Sequence, residues 1–341
     1  MQSIEHNDIC VCNGATSVVN NFSYCIGEPG EGILVGRPLY AGFFGDISAS
    51  AKVKPVLVSM HEIDPTSVDA VHHYEEALIA AERSGTKIRG LLLANPHNPL
   101  GRPYTKEALE GYLRLCSKYN MHLLSDEVYA KSWFPSDDFP EPPTFTSVLS
   151  LDLKQYIDPA LVHVIYALSK DFCANGIRIG CIISPSNPQL LKAFKSITDF
   201  TRASQLAEHV WLNLLNDKPF QSAYFPELQR RMTNAYNYTT RELNKRGIPY
   251  SPASVSSFLW IDLNKYLEED SEDAELDLNW RMAKAKVWIA MGAMFGSERH
   301  GNYRLTFATP KEELELGLNR LFKLLEDAKS EKEHRAKLKS S

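Results

Sequence analysis

VHVIYALS runs apolar until Lys170, and Arg178 follows a few residues later inside the glycine-flanked GIRIG. At the end of a buried strand, desolvation lowers an ammonium pKa and makes a neutral, nucleophilic amine available. A forked guanidinium held between Gly176 and Gly180 suits a phosphate. A second apolar run, MHLL, ends in SDEVYA, which places Asp126 or Glu127 near a strand terminus with Tyr129 beyond. One of the two carboxylates must point inward, and an unpaired buried charge is costly enough to demand a cationic or protonated partner. In ANPHNPLG, Pro96 and Pro99 fix φ and force the residues before them to be extended, which holds an asparagine rigidly enough to donate to a ligand oxygen. Asn98 is the candidate there. In CNGATS a strand gives way through Asn13-Gly14 to a helix starting near Ala15 and Thr16, whose free N–H groups and Thr16 hydroxyl form an anion site.

Each stretch has a plainer reading alone: a helix cap or surface pair for the acids, a turn for the prolines, an ordinary helix start for Thr16. Taken together they describe something narrower. A nucleophilic lysine, a phosphate-binding arginine, an inward carboxylate and oxygen-binding Asn and Tyr each answer one functional group of pyridoxal phosphate.

The elements that must position these residues alternate along the chain. ICVCN precedes TSVVNNFSYCI, VKPVLVS precedes SVDAVHHYEEALIAAERSG, RGLLLAN precedes TKEALEGYLRLCSKYN, and MHLLSDE and VHVIYALS follow. Such alternation predicts βα units on a largely parallel sheet, where ligands collect at the carboxyl ends of the strands. RGLLLAN and VHVIYALS are nearly continuously apolar, as strands covered on both faces are. Leu109, Tyr112, Leu113, Cys116 and Tyr119 recur at helical spacing and lay one stripe on the sheet, with Thr105 placed to cap that helix. Past GCIISPSNP the pattern predicts two long helices, about 187 to 216 and 221 to 246. SVSSFLWIDLNKYL, a helix near 274 to 286, NYRLTFATP and a final helix read as a smaller α+β unit. The tail EDAKSEKEHRAKLKSS reads as a solvated, frayed end.

Composition narrows the partners. The 341 residues carry a net charge of -5, with no basic stripe for nucleic acid and no apolar run near the roughly 18 residues that span a bilayer. No basic and apolar leader precedes ICVCN, which predicts a cytoplasmic home. The six cysteines are scattered and read as buried thiols; Cys10 and Cys12 share one face of a strand rather than a metal site.

NGATS, PLYAGF, NPHNPLG, SDEVYA, ALSKD and GIRIG, in this order from about residue 10 to 325, resemble the class I/II aminotransferase family of fold-type I pyridoxal-phosphate enzymes. The resemblance is greatest to its 1-aminocyclopropane-1-carboxylate synthase-like branch. It implies a three-layer α/β/α large domain with a mostly parallel sheet over residues 1–220, a small α+β domain over 221–330, and a charged tail over 331–341. It implies that Lys170 is the Schiff-base lysine and proton shuttle and that Asp126 keeps the pyridine nitrogen protonated. By the same carry-over, Tyr129 and Asn98 bond the phenolic oxygen, and Arg178, Ala15 and Thr16, helped by Ser169, form the phosphate cradle. Tyr40 stacks on the ring, and Arg304 clamps the substrate α-carboxylate. Two departures accompany it. Ala167 stands where the family often has a phosphate-binding Ser, and the chain begins at the strand before NGATS, without the family's N-terminal segment.

The activity implied is transamination between an amino acid and a 2-oxo acid in a homodimer. A rival within the family uses the same carbanion to expel a substituent, from S-adenosylmethionine or a cysteine conjugate, as a cyclopropane-forming synthase or carbon-sulfur lyase. A third reading is a truncated, non-catalytic paralogue. The joint presence of Lys170, Asp126, Asn98, Tyr129, Arg178 and Arg304 weighs against it.

Overall fold

A computed structural model describes residues 4–340 of the chain. Seven strands, β1 (Ile9–Cys12), β2 (Gly32–Gly36), β3 (Lys54–Val58), β4 (Ile88–Ala94), β5 (His122–Asp126), β6 (Val162–Ala167) and β7 (Gly180–Ile183), form one sheet in the order β1-β7-β6-β5-β4-β2-β3. Only β7 runs against its neighbours: it is antiparallel to both β6 and β1, while the remaining pairs are parallel. The link from β6 to β7 is spent on a four-residue turn and a three-residue turn and builds no crossover helix, so β7 doubles back. This reversal has a consequence for chemistry. It brings the start of β7 level with the ends of β1 and β6, so Gly180 pairs with both Cys12 and Ala167.

Helices cover both faces. α1 (Ala15–Ile26) and α2 (Phe43–Ser48) bury Val18, Phe22, Phe43 and Ile47 on one face, and α3 (Ala70–Arg83) and α4 (Lys106–Lys118) bury Tyr74, Leu78, Leu109 and Tyr112 on the other. The predicted stripe of α4 is buried at Leu109, Tyr112, Leu113 and Cys116, and Thr105 caps the helix by accepting from the Ala108 N–H at 3.1 Å. α5 (Leu168–Asp171) is a single turn directly after β6, and α6 (Pro188–Thr198) returns to the α1 face. The architecture is the expected three-layer α/β/α arrangement.

The helix predicted over 187–216 is two helices. α6 ends at Thr198, and α7 (Gln205–Asn216) starts anew where the Ser204 hydroxyl accepts from the Ala207 N–H. A serine that can cap competes with helix continuation, and here the cap wins. α8 (Lys218–Lys245) then runs unbroken past residue 220. A second sheet, ordered β10-β11-β9-β8, is made of β8 (Tyr250–Ser251), β9 (Phe258–Asp262), β10 (Ala290–Met291) and β11 (Asn302–Thr306). With α9 (Glu272–Lys284) and α10 (Lys311–Ser340) it encloses a core of its own, including Tyr236, Leu259, Ile261, Tyr303 and Phe307. The tail differs from the frayed end predicted. α10 continues along it to Ser340, because Lys, Glu and Ala are good helix formers and Lys332 and Glu331 are tied to the Leu267 carbonyl and Arg281. Among the described residues no helix is long and apolar enough to cross a membrane.

Candidate active site

The register of β1, β7 and β6 brings Gly180 beside Ala167 and the Cys12 end of β1, next to Gly14, and both glycines leave little room for a side chain. Gly14, at φ +117°, caps α1, and a Cβ there would run into the Arg178 guanidinium. A Cβ on Gly180 would come within 3.0 Å of the Ala15 nitrogen. Arg178 itself adopts a left-handed backbone (φ 59°), which folds it back so that Nη1 donates to the Asn175 carbonyl at 2.8 Å. An exposed cation thus lies against the open N-terminus of a twelve-residue helix.

One cavity of about 230 Å³ opens at these strand ends. Arg178, Ala15, Thr16 and Ser169 line it together with Asp126, Asn98, Tyr129, Tyr40 and Lys170. Arg304 stands beside the wall rather than in it. Its Nη1 donates to the Asn98 Oδ1 at 3.2 Å, and its guanidinium carbon lies 4.8 Å from the Phe258 ring centre and 4.6 Å from that of Phe295. Its Nε is buried and has no hydrogen-bond partner.

The structure separates residues that the sequence left in pairs. Asp126 faces the cavity, with one oxygen accepting from the Val128 N–H at 3.4 Å, whereas Glu127 turns away to accept from Ser125 and the Val148 N–H. Asn98 faces the cavity, whereas Asn95 serves the scaffold: its amide donates to the Thr146 carbonyl and its oxygen accepts from the Tyr104 N–H. A buried loop with its polar groups spent in this way holds its neighbours rigid.

Burial sets the electrostatics. It pushes the Asp126 carboxyl up to about 7, against the pull of the Val128 N–H and the Lys170 charge. Lys170 is exposed to the cavity, yet the surrounding protein first and the Arg304 charge second lower its pKa, while Asp126 acts in the opposite sense. The amine lies 5.8 Å from the Tyr129 ring centre. Burial also lowers the pKa of Arg304 and raises those of Tyr129 and Tyr40.

Asp46 and Asn175 line the cavity and escaped the sequence reading. Burial pushes Asp46 up to about 6, and a hydrogen bond with Thr16 opposes it. A polar residue between the buried Phe43 and Ile47 of FFGDIS, a turn past Tyr40, was the available signal. Ala167 is fully buried at the end of β6 and offers the cavity no hydroxyl, whereas Ser169 reaches it.

The family model for aminotransferase class I and II matches residues 2–321. The chain belongs to this family. Among relatives, a 1-aminocyclopropane-1-carboxylate synthase-like protein 1 from Takifugu rubripes is 32% identical over 96% of the chain and 53% of that protein. A human protein named probable inactive 1-aminocyclopropane-1-carboxylate synthase-like protein 2 is 32% identical over 96% of the chain and 57% of its own length. The chain therefore spans a little over half the length of these curated relatives, and the branch is the one its motifs indicated. An aspartate aminotransferase from Thermus thermophilus superposes with a TM-score of 0.79 at 21% identity, covering 94% of this chain and 77% of that one. That likeness identifies this aminotransferase-family fold as fold-type I.

Proposed function

We propose that this chain is a pyridoxal 5'-phosphate-dependent aminotransferase, passing an amino group from an amino acid to a 2-oxo acid, with Lys170 as the residue that bonds the cofactor's aldehyde. The observation that carries the reading is convergence. A desolvated amine, a buried carboxylate, Asn98, Tyr129 and a guanidinium seated on a helix N-terminus all meet at one cavity.

The residues fit the cofactor. The space kept open at Gly14 and Gly180 leaves the Ala15 and Thr16 N–H groups and Arg178 free to hold a phosphate, with Ser169 adding a hydroxyl in place of the one Ala167 lacks. Burial gives Asp126 a neutral-range pKa that the Lys170 charge only partly offsets, and a pyridinium N–H would supply a further cation. Bound there, the cofactor supplies an electron sink for the electrons of the substrate's Cα–H bond. Asp126 holds the proton on the ring nitrogen, Asn98 and Tyr129 orient the ring through its hydroxyl, and Tyr40 covers one face. Lys170 Nζ, with its lowered pKa, accepts the Cα proton. Arg304, flanked by Phe258 and Phe295 and with Nε unspent, holds the substrate α-carboxylate. The same reading takes residues 1–220 and 221–330 as large and small domains, 331–341 as a charged tail, and the protein as a cytoplasmic homodimer.

Two other outcomes have a specific basis. The names of the 1-aminocyclopropane-1-carboxylate synthase-like relatives favour elimination from the same carbanion, and the human relative's name favours a chain without activity. Borohydride treatment with pyridoxal phosphate, then peptide mapping, should place the cofactor's mass on Lys170 and find it lost in Lys170→Ala. Equal labelling of the variant would sink the reading. Incubation with an amino-acid panel, S-adenosylmethionine and a cysteine conjugate then divides the activities: 2-oxo acid without ammonia indicates transamination, and ammonia, thiol or a cyclopropane product indicates elimination. A labelled Lys170 with no product indicates the inactive case.

A further inference from the structure

Asp171 adjoins the lysine, is fully buried, and takes no part in the chemistry proposed above. Its carboxylate gathers three donors from two other segments. Ser132 Oγ donates to Oδ1 at 2.6 Å, and Tyr166 Oη and the Lys131 N–H donate to Oδ2 at 3.0 and 3.1 Å. Burial pushes the carboxyl up to about 6, and these three donors pull it back. A charged acceptor satisfied three times over is an anchor, because removing it leaves its buried donors unpaired.

What it anchors is the turn bearing the lysine. α5 has only four residues, far fewer than a helix needs to hold itself, so tertiary contacts must fix it. Ser132 carries the contact onward: its N–H donates to the Tyr129 carbonyl at 3.1 Å, and its carbonyl accepts from the Ser256 N–H at 3.0 Å. Ser256 leads into β9, whose Phe258 ring stands edge-on to Tyr129 with centres 5.8 Å apart and also lies against Arg304. The Asp171 to Ser132 bond thus joins the turns bearing Lys170 and Tyr129 to the strand whose Phe258 packs against Arg304.

We propose that Asp171 is a positioning residue: it locks the Lys170 turn onto the Tyr129 turn, so that the amine meets the aldehyde carbon of a cofactor whose hydroxyl is held by Tyr129. This rests on the pyridoxal-phosphate reading. A lysine placed this way matters for a ligand that bonds to it and not for one that merely occupies the cavity. Pyridoxamine 5'-phosphate has the same ring, hydroxyl and phosphate and no aldehyde, so the two ligands separate positioning from general support of the fold.

The experiment measures the dissociation constants of both for wild type and Asp171→Ala, with urea unfolding to confirm that the variant is folded. The expected result is pyridoxal phosphate weakened about tenfold or more, the scale of losing a hydrogen bond to a charged group, with pyridoxamine phosphate changed less than about twofold. Asp171→Asn, which keeps one acceptor, should fall between. Should Asp171→Ala not fold, Ser132→Ala and Tyr166→Phe each remove one donor and are read by the same criterion. Equal weakening of both ligands, or weakening of neither, overturns the proposal while leaving the cofactor reading intact. A wild-type protein that forms no adduct on Lys170 overturns both.

Discussion

The two ends of β5 and β6 carry titratable groups shifted by burial, an acid and a base at one end and two imidazoles at the other. At their carboxyl ends, burial raises Asp126 to about 7, and Lys170, next to β6, is lowered. At their amino ends, burial lowers His122 to about 4 and holds His163 well below its ordinary value. The amino end is closed. His122 Nδ1 and His163 Nε2 lie 3.0 Å apart, His163 Nδ1 bonds Ser184 Oγ at 2.8 Å, and Phe22 packs its ring against both imidazoles. The carboxyl end faces a cavity, with a carboxylate short of a cation and an arginine nitrogen without a partner. Desolvation alone therefore does not mark a site. What marks it is the convergence of desolvated groups on one cavity with bonding capacity left over.

The largest effect expected from this difference is at Asp126. Asp126→Asn keeps the shape and the Val128 hydrogen bond and removes the charge that would hold a pyridinium proton. On the proposed function, kcat should fall about 10²–10³-fold, the cost of losing one preorganised electrostatic partner. The same variant should unfold at higher urea near pH 8, because an uncompensated buried carboxylate is gone. Loss of rate together with loss of stability would break the contrast between an open, strained end and a closed one.

His163→Ala tests the other end. It opens a cavity under Phe22 and strands both His122 Nδ1 and Ser184 Oγ, which together should cost about 2–4 kcal/mol of unfolding free energy. Binding of pyridoxal phosphate to the folded variant should change less than about twofold. Calorimetry and a cofactor titration on one preparation check both halves. A variant that loses cofactor affinity in step with stability would show that the two ends are not separable.

How much of this was legible in the sequence follows from the same contrast. The residues that meet at the cavity are legible because each strand there stops at polar residues that follow a buried run: Lys170, Asp126, Asn98. The fold was legible for the related reason that continuous apolar strands and a striped α4 leave few arrangements. Asp46 was missed because it sits inside a short helix rather than at a strand end, and its approach to Thr16 exists only after folding. The His122, His163 and Ser184 chain was invisible because its members are far apart in sequence and gain partners only through the pairing of β5, β6 and β7. Asp171 stands in the motif without a legible role, since its donors come from Lys131, Ser132 and Tyr166. The break between α6 and α7 rested on Ser204, a single residue against the pull of a long helical pattern.

The smallest effect is also the most direct measure of the two senses of burial. Asp126 in the folded apoprotein holds a proton up to about pH 7, against an ordinary value of 3.8, so across that window the folded state binds more protons than the unfolded one. Its contribution to stability therefore falls as pH rises. His122 has the opposite sign: with its folded pKa near 4 against 6.5, the unfolded state takes up protons first, and stability is lost as pH falls through that interval. Each group bends the stability curve by at most about 1.4 kcal/mol per pH unit. Among the other carboxyls raised by burial, Asp171 stays in every protein compared and cancels in the differences, whereas Glu127 and Asp46 are coupled to the Asp126 charge, and its removal lowers them and adds to the change at Asp126 in the same sense. Measured by urea unfolding of apoprotein from about pH 4 to about pH 7, the stability of Asp126→Asn minus that of wild type should climb with pH. That of His122→Phe minus wild type should descend. Parallel differences would mean that the two ends of these strands are not electrostatic opposites, and that the cavity end is as well satisfied without its cofactor as the amino end is by its own side chains.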